Sequence, residues 1–168
     1  MSDVHDGTVR VRLTSRRDWP PFAEFNLSEA HMVSRIGPAD RGTYDGTVAY
    51  QAAETAWTLT QWTAEEAREA TAESGLPAEY AAQIEAFQAI GRPPMGAGEY
   101  AEVTRSSGAR SIWHCAGVGW ALVERHSASA VAKMEAQRET QRETQRETQR
   151  ETQRETQRQA DAEVEAER

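Results

Sequence analysis

A strict alternation of apolar and polar side chains begins nine residues into the chain. Val9, Val11 and Leu13 alternate with Arg10 and Arg12. Successive side chains of a strand point to opposite faces, so one face of this segment is apolar and the other is charged. The pattern predicts a half-buried strand, and we expect it to lie at the edge of a sheet with its arginines in water.

Capping signals predict two helices further along the chain. Ser28 is a candidate N-cap for a short helix over 28–36, because its hydroxyl can accept a hydrogen bond from a first-turn amide. Thr63 and Glu66 have the spacing of a capping box, in which each side chain bonds the other residue's amide. The capping box predicts a second helix over 64–73.

A third helix is indicated by an apolar stripe at steps of four, three and three residues. The stripe consists of Tyr80, Ile84, Phe87 and Ile90. Pro77 precedes it where a helix tolerates proline, and Gly91 follows it where a helix commonly ends. We therefore expect a helix between these two residues, with the stripe facing the core.

The segment 47–62 fits two structures. Its threonine, valine, tyrosine and tryptophan content favours two strands joined near Ala53. However, Val48, Ala52, Ala56 and Leu59 also fall near helical spacing. On the basis of composition, we expect strands.

Turn signals at Asp45-Gly46 and Ser107-Gly108 predict hairpins. The apolar segment 117–126 suits either a strand or the start of a helix, and the residues from Ser127 onward favour helix. Hairpins combined with a separate helical pair predict an α+β fold, namely a small antiparallel sheet with two to three packed helices.

A four-residue unit, Gln-Arg-Glu-Thr, repeats from position 137 and divides the chain into a compact domain over 1–136 and a tail over 137–168. The repeat has no apolar seam, which excludes a conventional coiled coil. It also places like charges four residues apart, which weakens an isolated helix. We expect a solvent-exposed tail that is helical or partly disordered and melts gradually.

The formal net charge is −8. The tail has seven arginines and nine carboxylates, so the 1–136 domain carries −6. An acidic domain repels nucleic-acid phosphates unless its basic residues converge on one place. The one basic cluster consists of Arg10, Arg12, Arg16 and Arg17. We therefore expect no direct binding of nucleic acid.

The sequence contains no cofactor loop and no paired histidines or cysteines at metal-binding spacing. We therefore expect no cofactor and no metal. Cys115 is the only cysteine, which excludes an intrachain disulfide, and no segment is long and apolar enough to span a membrane. His114, the residue before Cys115, would point to the opposite face of a strand. We therefore expect Cys115 to be a buried structural residue beside Trp113. These features predict a cytoplasmic protein.

Two surface features indicate a protein partner. Glu65, Glu69 and Glu73 lie four residues apart on the second predicted helix, with Glu66 beside them, and such an acidic ridge can imitate a phosphate backbone. Trp19, next to two prolines, is the tryptophan we expect to be exposed, and tryptophan is enriched among residues that dominate binding energy. The sequence thus predicts a non-enzymatic protein-binding module, with an acidic inhibitor or regulator of a nucleic-acid-handling protein as its more specific form.

Two alternatives remain open from the sequence. The first is a small enzyme that pairs His114 or His126 with a carboxylate, and the candidate carboxylates are Glu99, Glu102 and Glu124. The second is an assembly subunit in which the tail acts as a spacer. The sequence does not decide the oligomeric state.

Overall fold

The structure, a computed structural model, describes residues 7–43, 47–74 and 77–166. Of the side chains in these ranges, those of Ala67, 71–74 and 157–166 lie outside the description. The elements in chain order are β1 (Thr8–Thr14), β2 (Ala23–Ser28), α1 (Glu29–Ser34), α2 (Val48–Gln61), α3 (Ala64–Ser74), α4 (Glu79–Ala89), β3 (Tyr100–Thr104), β4 (Arg110–Cys115), β5 (Trp120–His126) and α5 (Ala128–Ala166).

The five strands form one antiparallel sheet in the order β2-β1-β3-β4-β5. A five-stranded antiparallel sheet with several helices is an α+β fold, so the predicted α+β class is confirmed. The expected number of two to three packed helices is too low, because the described residues form four helices, α1 to α4, before α5. The prediction of an edge position for the first strand is wrong, because β1 pairs with β2 on one side and with β3 on the other. Sequence analysis had not assigned β2, whose alternation is short and follows two prolines.

The core lies on one face of the sheet. Val9, Val11 and Leu13 are fully buried, as the alternating pattern predicted. Val11 is opposite Phe25 on β2 and Val103 on β3, so one row of the register joins three strands through buried side chains. Burying apolar surface is the main stabilising contribution of such a row.

The prediction of two strands over 47–62 is wrong, because the segment forms the helix α2. Its N-cap is Thr47, whose hydroxyl accepts a hydrogen bond from the amide of Tyr50 at 3.1 Å. The buried stripe of the helix consists of Val48, Ala52, Ala53, Ala56 and Leu59. Its small alanines let the helix approach the sheet closely. The gain from this burial exceeds the modest strand preference of threonine and tryptophan.

The other capping signals are confirmed. The Ser28 hydroxyl accepts from the His31 amide at 3.2 Å, although the helix ends at Ser34 and not at Ile36. Glu66 accepts from the amide and hydroxyl of Thr63, whose own hydroxyl accepts from the Glu66 amide.

Two further expectations concern α4 and the hairpins. The stripe of α4 is buried at Tyr80, Ile84 and Phe87, but Ile90 is 54% exposed, because the helix ends there and Gly91 turns the chain with a φ of 70°.

The hairpin at Ser107-Gly108 is confirmed as the β3–β4 connection. The predicted turn at Asp45-Gly46 lies outside the described residues.

The chain separates into two compact units, residues 1–128 and 129–168. The helix α5 begins at Ala128 and continues through the repeat to Ala166, which gives it a length of about 58 Å. Each repeat threonine from Thr140 to Thr156 donates its hydroxyl to the backbone carbonyl four residues earlier. The tail boundary near position 136 and the gradual melting of the repeat stay predictions.

Within the described ranges, no helix is long and apolar enough to cross a membrane.

A buried carboxylate joins the start of α1 to the β3–β4 turn. Glu29 is fully buried and accepts hydrogen bonds from Arg105 Nε at 3.0 Å and from the Ser106 hydroxyl. Burial by itself raises the pKa of Glu29. The hydrogen bonds from Ser106 and Arg105, together with the Arg105 charge, outweigh that effect, so the pKa of this carboxyl lies below 4.5.

We predict that Glu29→Gln destabilises the protein by about 2 kcal/mol at neutral pH, because Arg105 and Ser106 lose a charged acceptor. A carboxyl with a lowered pKa contributes stability above its unfolded-state pKa and loses that contribution as the pH falls below 4.5. Chemical denaturation at neutral pH and at about pH 3 should therefore show the difference shrinking. Glu24→Gln, at an exposed ion pair with Arg12, is the control and should cost less than about 1 kcal/mol. A difference that is the same at both pH values would contradict this assignment.

Candidate functional site

The acidic ridge predicted from the sequence lies on α3. Glu65, Glu66 and Glu69 are exposed, whereas the side chain of Glu73 lies outside the description. Arg68 is the only basic residue in this helix sequence, and it forms an ion pair with Glu85 of α4. The positive charge of Arg68 is therefore paired with a carboxylate of α4.

Glu66 has a structural role within this ridge. Its carboxylate accepts from the backbone amide and the hydroxyl of Thr63. The backbone hydrogen bond, followed by the one from the hydroxyl, lowers the pKa of Glu66. Because Glu66 caps the helix, the carboxylates of Glu65 and Glu69 are the ones that suit a test of binding.

Trp19 lies between β1 and β2 and is 53% exposed. The guanidinium of Arg16 stacks over its ring, 4.7 Å from the ring centroid. The preceding residue, Asp18, has a φ of 64°, which turns the chain sharply at this point. An exposed indole held by a cation and a tight turn is a candidate contact for a partner.

The basic cluster near the start of the chain is divided among separate contacts. Arg12 is 3.4 Å from Glu24 and 3.9 Å from Glu102, and Arg17 pairs with Glu124. Arg16 stacks on Trp19, as described above. These arginines therefore do not converge on one anion-binding point.

All three carboxylates considered for an enzyme are held by arginines, and Glu124 pairs with Arg17. Glu99 pairs with Arg92 and accepts from the Gly96 amide at 2.9 Å, and Glu102 pairs with Arg110. The His114 ring is 4.9 Å from the Tyr100 ring and has no hydrogen bond to either carboxylate among the described contacts. Among the described residues, His114 is therefore not hydrogen-bonded to Glu99 or Glu102.

His126 and Glu124 are brought together on β5. The imidazole Nε2 is hydrogen-bonded to Glu124 Oε1, and the other oxygen of the carboxylate accepts from Arg17. The hydrogen bond from His126 is the largest cause of a lowered pKa at Glu124, and it outweighs the opposite effect of burial. This histidine–carboxylate pair is the observation that favours the enzyme alternative.

Cys115 is 8% exposed and lies at the end of β4, on the same side of the strand as the fully buried Trp113. Burial raises the pKa of the Cys115 thiol, and the nearby negative charges of Glu54 and Glu99 raise it further. A thiol with a raised pKa is a poor nucleophile at neutral pH. The environment is that of a structural cysteine.

Three residues that meet beside Cys115 were not among the site residues predicted from the sequence. Tyr50, Glu54 and Trp57 follow one another by four and three residues on α2, and they line a cavity with the β4–β5 turn. Their spacing would have indicated a shared face only if 47–62 had been interpreted as a helix.

Comparison with known protein families, with curated proteins and with solved structures found no match to this chain. Among the described residues, no group of three or more histidine, cysteine, aspartate or glutamate side chains is arranged to hold a metal ion. Function must therefore be inferred from the geometry and charge of the side chains themselves.

We predict that native Cys115 reacts with a thiol reagent at least about 10-fold more slowly than the same cysteine in denaturant at neutral pH, because burial and nearby carboxylates disfavour the thiolate. Absorbance during reaction with an aromatic disulfide measures both rates. Equal rates in the two conditions would show that the thiol is accessible and ionises readily, which would contradict a structural role.

Proposed function

We propose that this protein is a non-enzymatic binding module that places the acidic surface of α3 against a basic surface of another protein. The observation that carries the proposal is the exposure of Glu65 and Glu69 on a helix whose only arginine, Arg68, is paired with Glu85. The carboxylates of Glu65 and Glu69 thus present their charge to solvent, while Arg68 is held by a neighbouring helix.

Long-range electrostatics supports the same proposal. The formal charge of −6 over residues 1–136 favours approach of a basic partner and opposes approach of nucleic acid. Carboxylates spaced along a helix can occupy a groove that otherwise binds phosphates. In its more specific form, the proposal is therefore an inhibitor or regulator of a nucleic-acid-handling protein.

Trp19 is the proposed apolar anchor. Charged rims mainly accelerate association, whereas buried aromatic anchors mainly slow dissociation. Trp19 offers a ring that is 53% exposed and braced by Arg16. A cytoplasmic location fits this proposal, because Cys115 is the only cysteine in the sequence and no intrachain disulfide is needed.

We predict that Glu65→Gln combined with Glu69→Gln slows association with the partner on the order of 10-fold at low salt, because long-range attraction is lost. The matched control is Glu139→Gln combined with Glu143→Gln, which removes the same charge from the repeat. Trp19→Ala should mainly increase the dissociation rate. The partner is a host protein that the immobilised, unmodified chain retains from a cell lysate, identified before any variant is tested.

Surface plasmon resonance with that partner gives the two rate constants. Unchanged association by the α3 variant, or equal slowing by the control, would contradict docking through α3. Tight, sequence-independent binding of duplex DNA by the unmodified protein at physiological salt would contradict the acidic-binder proposal as a whole.

A second candidate function is a small hydrolytic or proton-transfer enzyme. It is favoured by the hydrogen bond between His126 and Glu124, because a carboxylate that orients an imidazole is a recurring part of general-base sites. It differs from the binding proposal in requiring turnover of a small molecule that depends on His126. A spacer or assembly role for the repeat is compatible with either function.

A further inference from the structure

A cavity of about 450 Å³ lies between α2 and the β4–β5 turn. One wall is the α2 face formed by Tyr50, Glu54 and Trp57, and Trp120 from the start of β5 adds a further indole. The size falls within the range of small-ligand sites, roughly 300–1,000 Å³. The cavity thus combines three aromatic side chains with one carboxylate.

Two glycine-rich loops, 95–98 and 116–119, form the opposite walls of the cavity. Backbone hydrogen bonds hold both loops in place. The Gly98 amide donates to the Cys115 carbonyl at 2.8 Å, and the Cys115 amide donates to the Glu99 carbonyl at the same distance. Across the β4–β5 turn, the Ala116 amide donates to the Gly119 carbonyl at 3.1 Å. These bonds fix the loops before any ligand arrives, which lowers the entropic cost of binding.

The loop that begins at Met95 is also anchored to α2, and the Met95 side chain is almost completely buried at the cavity wall. The Met95 amide donates to the Thr60 hydroxyl at 3.0 Å, and its carbonyl accepts from Gln61 at 3.0 Å. The aromatic wall and the loop wall are therefore tied to the same helix, which makes the cavity a built feature of the fold.

The charge of the cavity is negative. Glu54 is half-buried and accepts from Trp120 Nε1 at 3.0 Å, which holds the carboxylate at the cavity wall. Its negative charge contributes to the raised pKa of the neighbouring Cys115 thiol. Among the described residues that line the cavity, none is lysine, arginine or histidine. An anionic ligand would be repelled, and a cation would meet aromatic rings and a carboxylate.

We propose that this cavity binds an organic cation through an alkylammonium group, with a trimethylammonium head as the best fit. Electron-rich ring faces attract such a cation, and its dehydration penalty is smaller than that of a bare ammonium because it has no N–H donors. The Glu54 carboxylate supplies the compensating charge, and the methyl groups contact the apolar wall that includes Met95. The site is independent of α3 and of the partner proposed for it.

The β4–β5 turn contributes the rim of the site. Gly119 has a φ of 67°, and a methyl group added to it would lie 3.4 Å from the Tyr50 hydroxyl. A side chain at this position would be strained by the backbone conformation and would contact the Tyr50 hydroxyl. Val118 is 96% exposed at the tip of the turn and provides an apolar edge for whatever carries the cation.

Isothermal titration of the full-length protein with choline tests the proposal. We expect a Kd in the range of about 1 mM or below. The neutral isostere 3,3-dimethyl-1-butanol should bind at least about 5-fold more weakly, because it keeps the shape and lacks the charge. A short peptide with one trimethyl-lysine distinguishes the source of the cation. If the peptide binds more tightly than choline, the ligand is a protein side chain. If it binds equally or more weakly, the ligand is a free metabolite.

Two variants distinguish a specific site from general apolar binding. Glu54→Gln keeps an acceptor for Trp120 and should weaken choline binding by about 5-fold or more. Trp57→Leu keeps an apolar side chain and should have a similar effect. Glu24→Gln removes the same charge at an exposed ion pair on the sheet and should leave the affinity unchanged. Circular dichroism checks that each variant is folded.

Four results would overturn the proposal. They are no heat of binding with choline up to about 100 mM, equal affinity for the neutral isostere, unchanged affinity in folded Glu54→Gln, and an equal loss in Glu24→Gln. If the α3 variants did not affect partner association, the cation-binding proposal would still stand. The two tests use different residues and different ligands.

Discussion

The fold depends on the burial of one face of α2 against the apolar face of the sheet. This helix contacts β1, β3, β4 and β5 as well as α1 and α4. Its buried stripe is mostly alanine, with Leu59 near the C-terminal end. Fully burying one leucine side chain stabilises a fold by about 1.5–3 kcal/mol, and close approach at the alanines buries the strand side chains beneath them. Without α2, the apolar side chains of four strands would be open to water.

The same helix explains where the candidate sites can lie. One side of α2 packs into the core. Tyr50, Glu54 and Trp57 lie on another side of the helix, where they line a cavity. The sheet face that carries Arg12 and Glu102 holds its charges largely in cross-strand ion pairs, which leaves few of them for a partner. The exposed carboxylates of α3 differ in this respect, because the arginine of that helix pairs with α4.

Local signals in the sequence predicted much of this fold. The alternation around Val11, the caps at Ser28 and Thr63 and the stripe from Tyr80 to Phe87 each depend on neighbouring residues, and each is confirmed. The segment 47–62 could not be assigned in this way. Its structure is decided by contacts with strands as much as 70 residues away, which no local propensity contains. The cavity was missed for the same reason, since its walls meet only after α2 has docked.

Amide hydrogen exchange, measured residue by residue in the native protein, tests the central position of α2 most directly. If α2 is the helix on which the core depends, its amides from Ala52 to Leu59 should exchange only through global unfolding, with the same free energy as the central strands β1 and β3. The amides of α3, which is exposed along much of its surface, should exchange at a lower free energy of opening. Exchange of the α2 amides as fast as those of α3, or a strand-like exchange pattern over 47–62, would contradict this description of the fold.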